Sequence, residues 1–304
     1  MLDRIKNEIL LWPQSVKLSD FDDIPDIIDT SRLEPLGEGK FGSVYKAPII
    51  KEMYDLKSGT YIAIKELNLN KLSQALIDAS DLKIEILAMS TLSEHCSIHV
   101  AKYYDVIFTP KDDLLYILME YVDGFNINQH TMWGDSEEWQ KHENIARKLV
   151  EGLQCLHEHE VAHRDIKPEN VLVSEDLSVL KWVDLGFSCV TACKIGQDPT
   201  KVGTPLFLAP EIMNGEISSS SLKSWQIADL YSFGLLLHEM CGGKIKLSTT
   251  NGGGKPVGDI KSESEFVDTL MNACLINDPE ERYERWQVFL EKPTLLQSTH
   301  AKAR

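Results

Sequence analysis

The sequence predicts an α+β chain that is β-rich around one main helix through roughly its first 120 residues and mainly helical beyond. Three patterns predict this. Runs of β-branched, aromatic and other apolar residues at 44–47, 61–65, 100–106 and 114–120 read as short strands. Between the second and third of these, Leu82, Ile86, Met89 and Leu92 recur at helical spacing and mark one buried helix face. Farther on, Ile145, Leu149, Leu153 and Leu156 repeat that spacing, so a long helix runs directly into the polar segment that follows.

That polar segment is His163-Arg164-Asp165-Ile166-Lys167-Pro168-Glu169-Asn170. It places a carboxylate, an ammonium and a carboxamide within six residues, Asp165 to Asn170. Such a set suits phosphoryl transfer. A carboxylate can hold an acceptor hydroxyl and take its proton, an amine can neutralise the moving phosphate, and an amide oxygen can ligate Mg²⁺. The stretch resembles the catalytic loop of the eukaryotic protein kinase family, serine/threonine type. The resemblance implies a two-lobed fold, a small antiparallel sheet lobe with one main helix and a larger helical lobe. It also implies that further parts stand at set places along the chain.

A glycine-rich turn should come first, and Leu36-Gly37-Glu38-Gly39-Lys40-Phe41-Gly42-Ser43-Val44 supplies it. Glycine there keeps side chains away from backbone N–H groups that approach phosphate oxygens. The same G-x-G-x-x-G spacing can open a dinucleotide-binding βαβ unit, in which a helix follows the turn. Residues 44–47 read instead as a strand, which favours a hairpin over ATP.

Lys65 ends the next strand, and its ammonium can bind the α and β phosphates if an acidic partner holds it; an edge lysine that aids solubility is the plainer reading of Lys65 alone. Glu85, on the helix that follows, is the expected partner, with Asp78 and Asp81 as alternatives. Family resemblance then makes Met119, Glu120 and Val122 the hinge against the adenine edge, Val44 and Ala63 its upper apolar wall and Leu172 its floor. The resemblance also implies that Asn126 would reach the ribose, where the family often carries an acidic group that also binds basic substrates.

Beyond the catalytic loop, Asp184 in Lys181-Trp182-Val183-Asp184-Leu185-Gly186 matches the family's metal-binding aspartate and would share Mg²⁺ with Asn170. Leu185 departs from the family's usual Phe, so the apolar plug is smaller and switching between active and inactive arrangements should be altered. Residues 203–211, Gly-Thr-Pro-Leu-Phe-Leu-Ala-Pro-Glu, resemble the substrate-docking loop and its A-P-E end. A buried Glu211 needs a cation, which the family pattern puts at Arg282, and Asp229 should bond the catalytic-loop backbone. Lys167 two residues after Asp165, and a Thr204 able to bond both, favour serine or threonine acceptors. Dual specificity and a pseudokinase scaffold remain alternatives, although no core lysine or aspartate is lost. Arg164 can receive a phosphate on the activation segment, with Thr200 the expected site and Ser188 and Thr191 weaker ones.

These features run over residues 31–296, divided here into lobes at 31–121 and 122–296; residues 1–30 form an acidic extension with a short helix, and 297–304 a tail. Residues 251–258 read as a flexible loop. The net charge of −16 argues against a nucleic-acid partner. Its acidity could attract basic substrates, although solubility is the plainer explanation. No apolar run is long enough to span a bilayer and the N-terminus is charged, so a cytoplasmic enzyme is expected, with nuclear access open and oligomeric state unread. The six scattered cysteines fit free thiols in a reducing compartment.

Overall fold

The computed structural model describes residues 1–12, 24–39, 41–53, 55–75, 77, 79–127, 139–190, 202–216, 221–248 and 253–291. Lys40, Asp78, Thr191, Cys193, Thr200 and the tail lie outside them. Two compact units form, Met1–Asp123 and Gly124–Arg304.

In the first unit, helix α1 (Leu2–Leu10) precedes β1 (Glu34–Glu38), β2 (Gly42–Pro48), β3 (Tyr61–Asn68), α2 (Leu69–Gln74), α3 (Ala79–His95), β4 (Tyr103–Thr109) and β5 (Leu114–Glu120). The strands make one antiparallel sheet in the order β1-β2-β3-β5-β4. The glycine-rich turn joins β1 to β2 with Gly37 opposite Val44, and no helix follows it. The dinucleotide-binding alternative is thereby removed.

Register decides what each sheet face carries, because side chains alternate with a period of two. Val44 pairs with Lys65, and Ala63 with Met119, so these four share one face. The opposite face holds Ala47, Ile62, Ile64 and Leu118 in a core completed by Ile24, Ile27 and Ile28. Part of the acidic extension is therefore core, since its isoleucines cover the outer side of the sheet. Helix α1 buries Ile5 and Ile9 and packs on α2 and α3. Its Lys6 Nζ lies 2.5 Å from Asp113 Oδ1.

The second unit contains β6 (Phe125–Asn126), α4 (Trp139–Glu158), β7 (Val161–Ala162), β8 (Val171–Val173), β9 (Leu180–Trp182), β10 (Cys189–Val190), α5 (Pro210–Met213), α6 (Leu222–Met240), β11 (Lys244–Leu247), β12 (Gly254–Val257), α7 (Glu265–Cys274) and α8 (Pro279–Leu290). Helix α6 is apolar nearly all round, with Phe233, Leu235, Leu236 and Leu237 fully buried, as befits a helix enclosed by its neighbours. Strands β6, β8 and β9 form a small sheet beside the catalytic-loop segment.

Strands β11 and β12 correct the reading of 251–258 as a flexible loop over residues 254–257, while 251 and 252 lie outside the described residues. Residues 254–257 pair in register with 244–247. Two further expectations need correction or a limit. Cys241 and Cys274 are free, with burial pushing their thiols up to about 11 and about 12, whereas Cys96, Cys155 and Cys189 are disulfide-bonded rather than free. Among the described residues, no helix is long and apolar enough to cross a membrane.

Candidate active site

The segment 163–170 is fixed from below by α6. Asp229, 2% exposed, accepts the backbone N–H of His163 at 2.7 Å through Oδ2 and that of Arg164 at 2.8 Å through Oδ1. His157 of α4 lies 3.1 Å from the same Oδ2. A buried carboxylate with donors on both oxygens is a satisfied group, and it holds Arg164 at φ 65°, in the left-handed region. The chain reverses there and presents Asp165.

Three side chains converge on the Asp165 carboxylate, which is buried. Thr204 Oγ1 donates to Oδ1 at 2.7 Å, while Lys167 Nζ and Asn170 Nδ2 donate to Oδ2 at 2.7 and 3.0 Å. Lys167 Nζ also donates to Thr204 Oγ1 at 2.8 Å, closing the ring. An ionised carboxylate offers about four lone-pair positions. Three are used, which leaves one on Oδ1 for a further hydroxyl.

Asn170 also donates from Nδ2 to the Asp165 carbonyl at 2.8 Å. Both amide contacts thus use the nitrogen, and among the described residues the carboxamide oxygen accepts no hydrogen bond. The Asn170 carbonyl accepts Val183 N at 3.0 Å, tying the loop to the residue that precedes Asp184. Asp184 is exposed and sits at φ 57°, a strained conformation for a residue with a side chain. Leu185, where the family has Phe, is buried, and its carbonyl accepts Ser188 N at 2.9 Å and Oγ at 2.7 Å.

Arg164 is engaged in a way its sequence position did not disclose. Its Nε donates to the Phe187 carbonyl, its Nη2 to Ser188 O at 3.3 Å, and its guanidinium lies 5.1 Å from the Trp225 ring centre.

In the first unit, Lys65 Nζ meets Glu85 Oε1 at 2.6 Å, with both side chains largely buried. Glu85 is therefore a partner of Lys65, as expected, while Asp78 lies outside the described residues. Gly42 has a packing reason for lacking a side chain, since a Cβ there would meet Glu66 O at 1.7 Å. At Gly37 a Cβ would meet nothing within 4 Å, so that part of the hairpin leaves its backbone open. Met119 and Ala63 share the Lys65 face, Glu120 N donates to Lys102 O at 2.7 Å, and Val122 is buried. In the second unit, Asn126 pairs with Leu172, and its Nδ2 reaches Glu169 O at 3.5 Å.

The docking-loop segment is anchored through Glu211. Arg282, fully buried, donates to Glu211 Oε1, to Ile227 O at 3.1 Å and to Ile276 O at 2.9 Å, and it lies 5.2 Å from the Tyr231 ring centre. Burial raises the Glu211 carboxyl above its usual range despite that cation, and burial lowers Arg282.

A five-stranded antiparallel sheet, a lysine of β3 paired with a glutamate of α3, and an Asp-Lys-Asn-Thr ring anchored on an apolar helix define the protein kinase fold. The family model described as protein kinase domain matches residues 30–293. The chain belongs to that family. It is similar to serine/threonine-protein kinase mig-15 of Caenorhabditis elegans, at 32% identity over 69% of this chain and 19% of that protein. Serine/threonine-protein kinase KIC1 of Saccharomyces cerevisiae is 30% identical over 83% of this chain and 22% of its own length. Misshapen-like kinase 1 of Rattus norvegicus is 27% identical over 86% of this chain and 20% of its own. The chain thus spans about a fifth of the length of these relatives.

Proposed function

We propose that this protein transfers the γ-phosphoryl group of ATP to serine and threonine hydroxyls of protein substrates. The reading rests above all on the Asp165 ring, whose single open lone-pair position is where an acceptor hydroxyl would bind. Asp165 orients that hydroxyl and takes its proton as transfer proceeds. Lys167, bonded to Asp165 and Thr204, carries positive charge to the side of the carboxylate where the phosphoryl group arrives. Thr204 links the docking loop to Asp165, so substrate seating and the base are mechanically joined.

The residues present fit a nucleotide and a metal. The Asn170 amide oxygen is uncommitted by hydrogen bonds among the described residues and Asp184 is exposed, a pair of oxygen donors suited to Mg²⁺. Mg²⁺ when bound neutralises phosphate charge. Lys65, held by Glu85, would contact the phosphates, the glycine-rich turn, whose backbone is open at Gly37, would cover them, and Val44, Ala63, Met119, Glu120, Val122, Leu172 and Asn126 would receive the nucleoside. The kinase domain in this reading is residues 31–296. Regulation through phospho-Thr200 and Arg164 belongs to the proposal as well, and a Thr200→Ala protein of unchanged specific activity would remove it.

Replacing Lys65 by methionine keeps the aliphatic bulk and removes the cation. We expect kcat/KM for ATP to fall roughly a hundredfold, the usual effect of losing one preorganised electrostatic group. Steady-state phosphorylation of a generic serine peptide at varied ATP checks this, and a change under twofold would detach the Lys65 pair from the nucleotide.

A further inference from the structure

Between α6 and α7 the chain forms the β11–β12 hairpin, and its placement is fixed by backbone contact with the docking-loop segment. Gly254 N donates to Leu208 O at 3.0 Å, and Tyr231 Oη of α6 donates to Gly254 O at 3.0 Å. The approach is so close that a Cβ on Gly254 would meet Leu206 O at 1.9 Å. Ile245, on the inner side of the hairpin, packs on the core cluster that contains Phe207 and Leu208. The hairpin is thus a continuation of the docking loop.

Its other face is basic. Directly paired residues of an antiparallel ladder lie on the same face, and the register sets Lys244 opposite Val257 and Lys246 opposite Lys255. Three exposed lysines therefore share one side, while Ile245 and Pro256 point the other way. Like charges directly opposite one another on a sheet are destabilising. No compensating partner is present, since among the described residues none of the three lysines forms an ion pair. This concentration of positive charge stands on a chain whose net charge is −16.

We propose that the Lys244, Lys246 and Lys255 face is a specificity surface for substrates carrying acidic or phosphorylated residues beside the acceptor. The inference rests on the kinase reading, in which the acceptor is seated over residues 203–211. A peptide lying across the docking loop continues onto this face, and its carboxylates relieve the repulsion between Lys246 and Lys255. Overall acidity repels such a peptide at long range. At physiological salt, however, charges more than about 8 Å away are largely screened, so the nearby lysines decide.

The test uses two fluorescent serine peptides, identical except that flanking glutamates in one are glutamines in the other. Their binding to the full chain is measured by polarisation at two salt concentrations, beside K244E/K246E/K255E and the milder K244Q/K246Q/K255Q. Expected is about tenfold tighter binding of the acidic peptide, weakening with salt, as several exposed pairs supply together. Both variants bring the ratio to one or below. Equal binding of the two peptides by the unaltered chain, or a preference that survives in both variants, overturns the inference. The kinase reading fails separately, when neither peptide gains label from γ-labelled ATP, because the binding ratio is read without turnover.

Discussion

Replacing Asp165 by asparagine is expected to lower kcat by about three orders of magnitude, within the range that general-base catalysis supplies. The carboxamide is nearly isosteric, but it presents an NH₂ group where the carboxylate presented an acceptor. Lys167, Thr204 and Asn170 all donate to Asp165, so an asparagine sets donors against donors and has one acceptor oxygen for three of them. The open position that would take the acceptor proton disappears with the charge. A local stability cost of about 1–3 kcal/mol follows from the unpaired donors. Asp229 and the apolar face of α6 are untouched, so the fold persists. Initial rates and a melting curve on one preparation separate the two effects: a thousandfold rate loss with a modest melting shift is expected, and a rate within tenfold of the unaltered protein contradicts Asp165 as the base.

Arg282→Met is expected to cause the largest loss of stability, about 3–5 kcal/mol, because it leaves a buried carboxylate without its cation. Glu211 is 4% exposed, and among the described residues its Oε2 finds no partner even with Arg282 in place. Methionine fills much of the space but gives up the bonds to Ile227 O and Ile276 O. Against a total stability of about 5–15 kcal/mol, this is a large fraction. The effect carries a pH signature. Burial already raises the folded-state carboxyl of Glu211, and losing the cation raises it further. A raised carboxyl means that the folded state binds more protons, so the variant loses stability as pH rises from about 4.3, the unfolded value, through the raised folded one. Chemical denaturation at pH 5 and pH 8 should show the larger deficit at pH 8. Adding Glu211→Leu should recover more than half of the loss, since an apolar pair can replace a buried ion pair. No recovery would mean that the damage comes from packing around Tyr231 and not from the stranded charge.

The reactive parts of this protein are legible from sequence because local spacing sets their chemistry. Asp165, Lys167 and Asn170 lie in one loop, and the ring they form with Thr204 needs only that the docking loop return to it. Glu85 is legible because its helix has a 3.6-residue apolar period, which limits which acidic side chain faces the sheet. What escaped the sequence is tertiary. Ile24, Ile27 and Ile28 sit among aspartates in an acidic stretch, so nothing local marks them as the outer core of the sheet. Strand β12 contains glycine and proline, which disfavour strands; Gly254 stands there because the Leu206 backbone leaves no room for a side chain. Arg164 likewise shows its position in sequence but not its carbonyl partners in the Leu185–Ser188 turn.

Phosphoryl transfer itself is tested most directly with purified protein, γ-labelled ATP and Mg²⁺, offered two peptides that differ only in a serine or tyrosine acceptor, beside an Asp184→Asn control. Label entering the serine peptide with the unaltered chain, and falling by orders of magnitude in the control, is the predicted result. Nucleotide binding without label in either peptide, or equal labelling by the control, would contradict it.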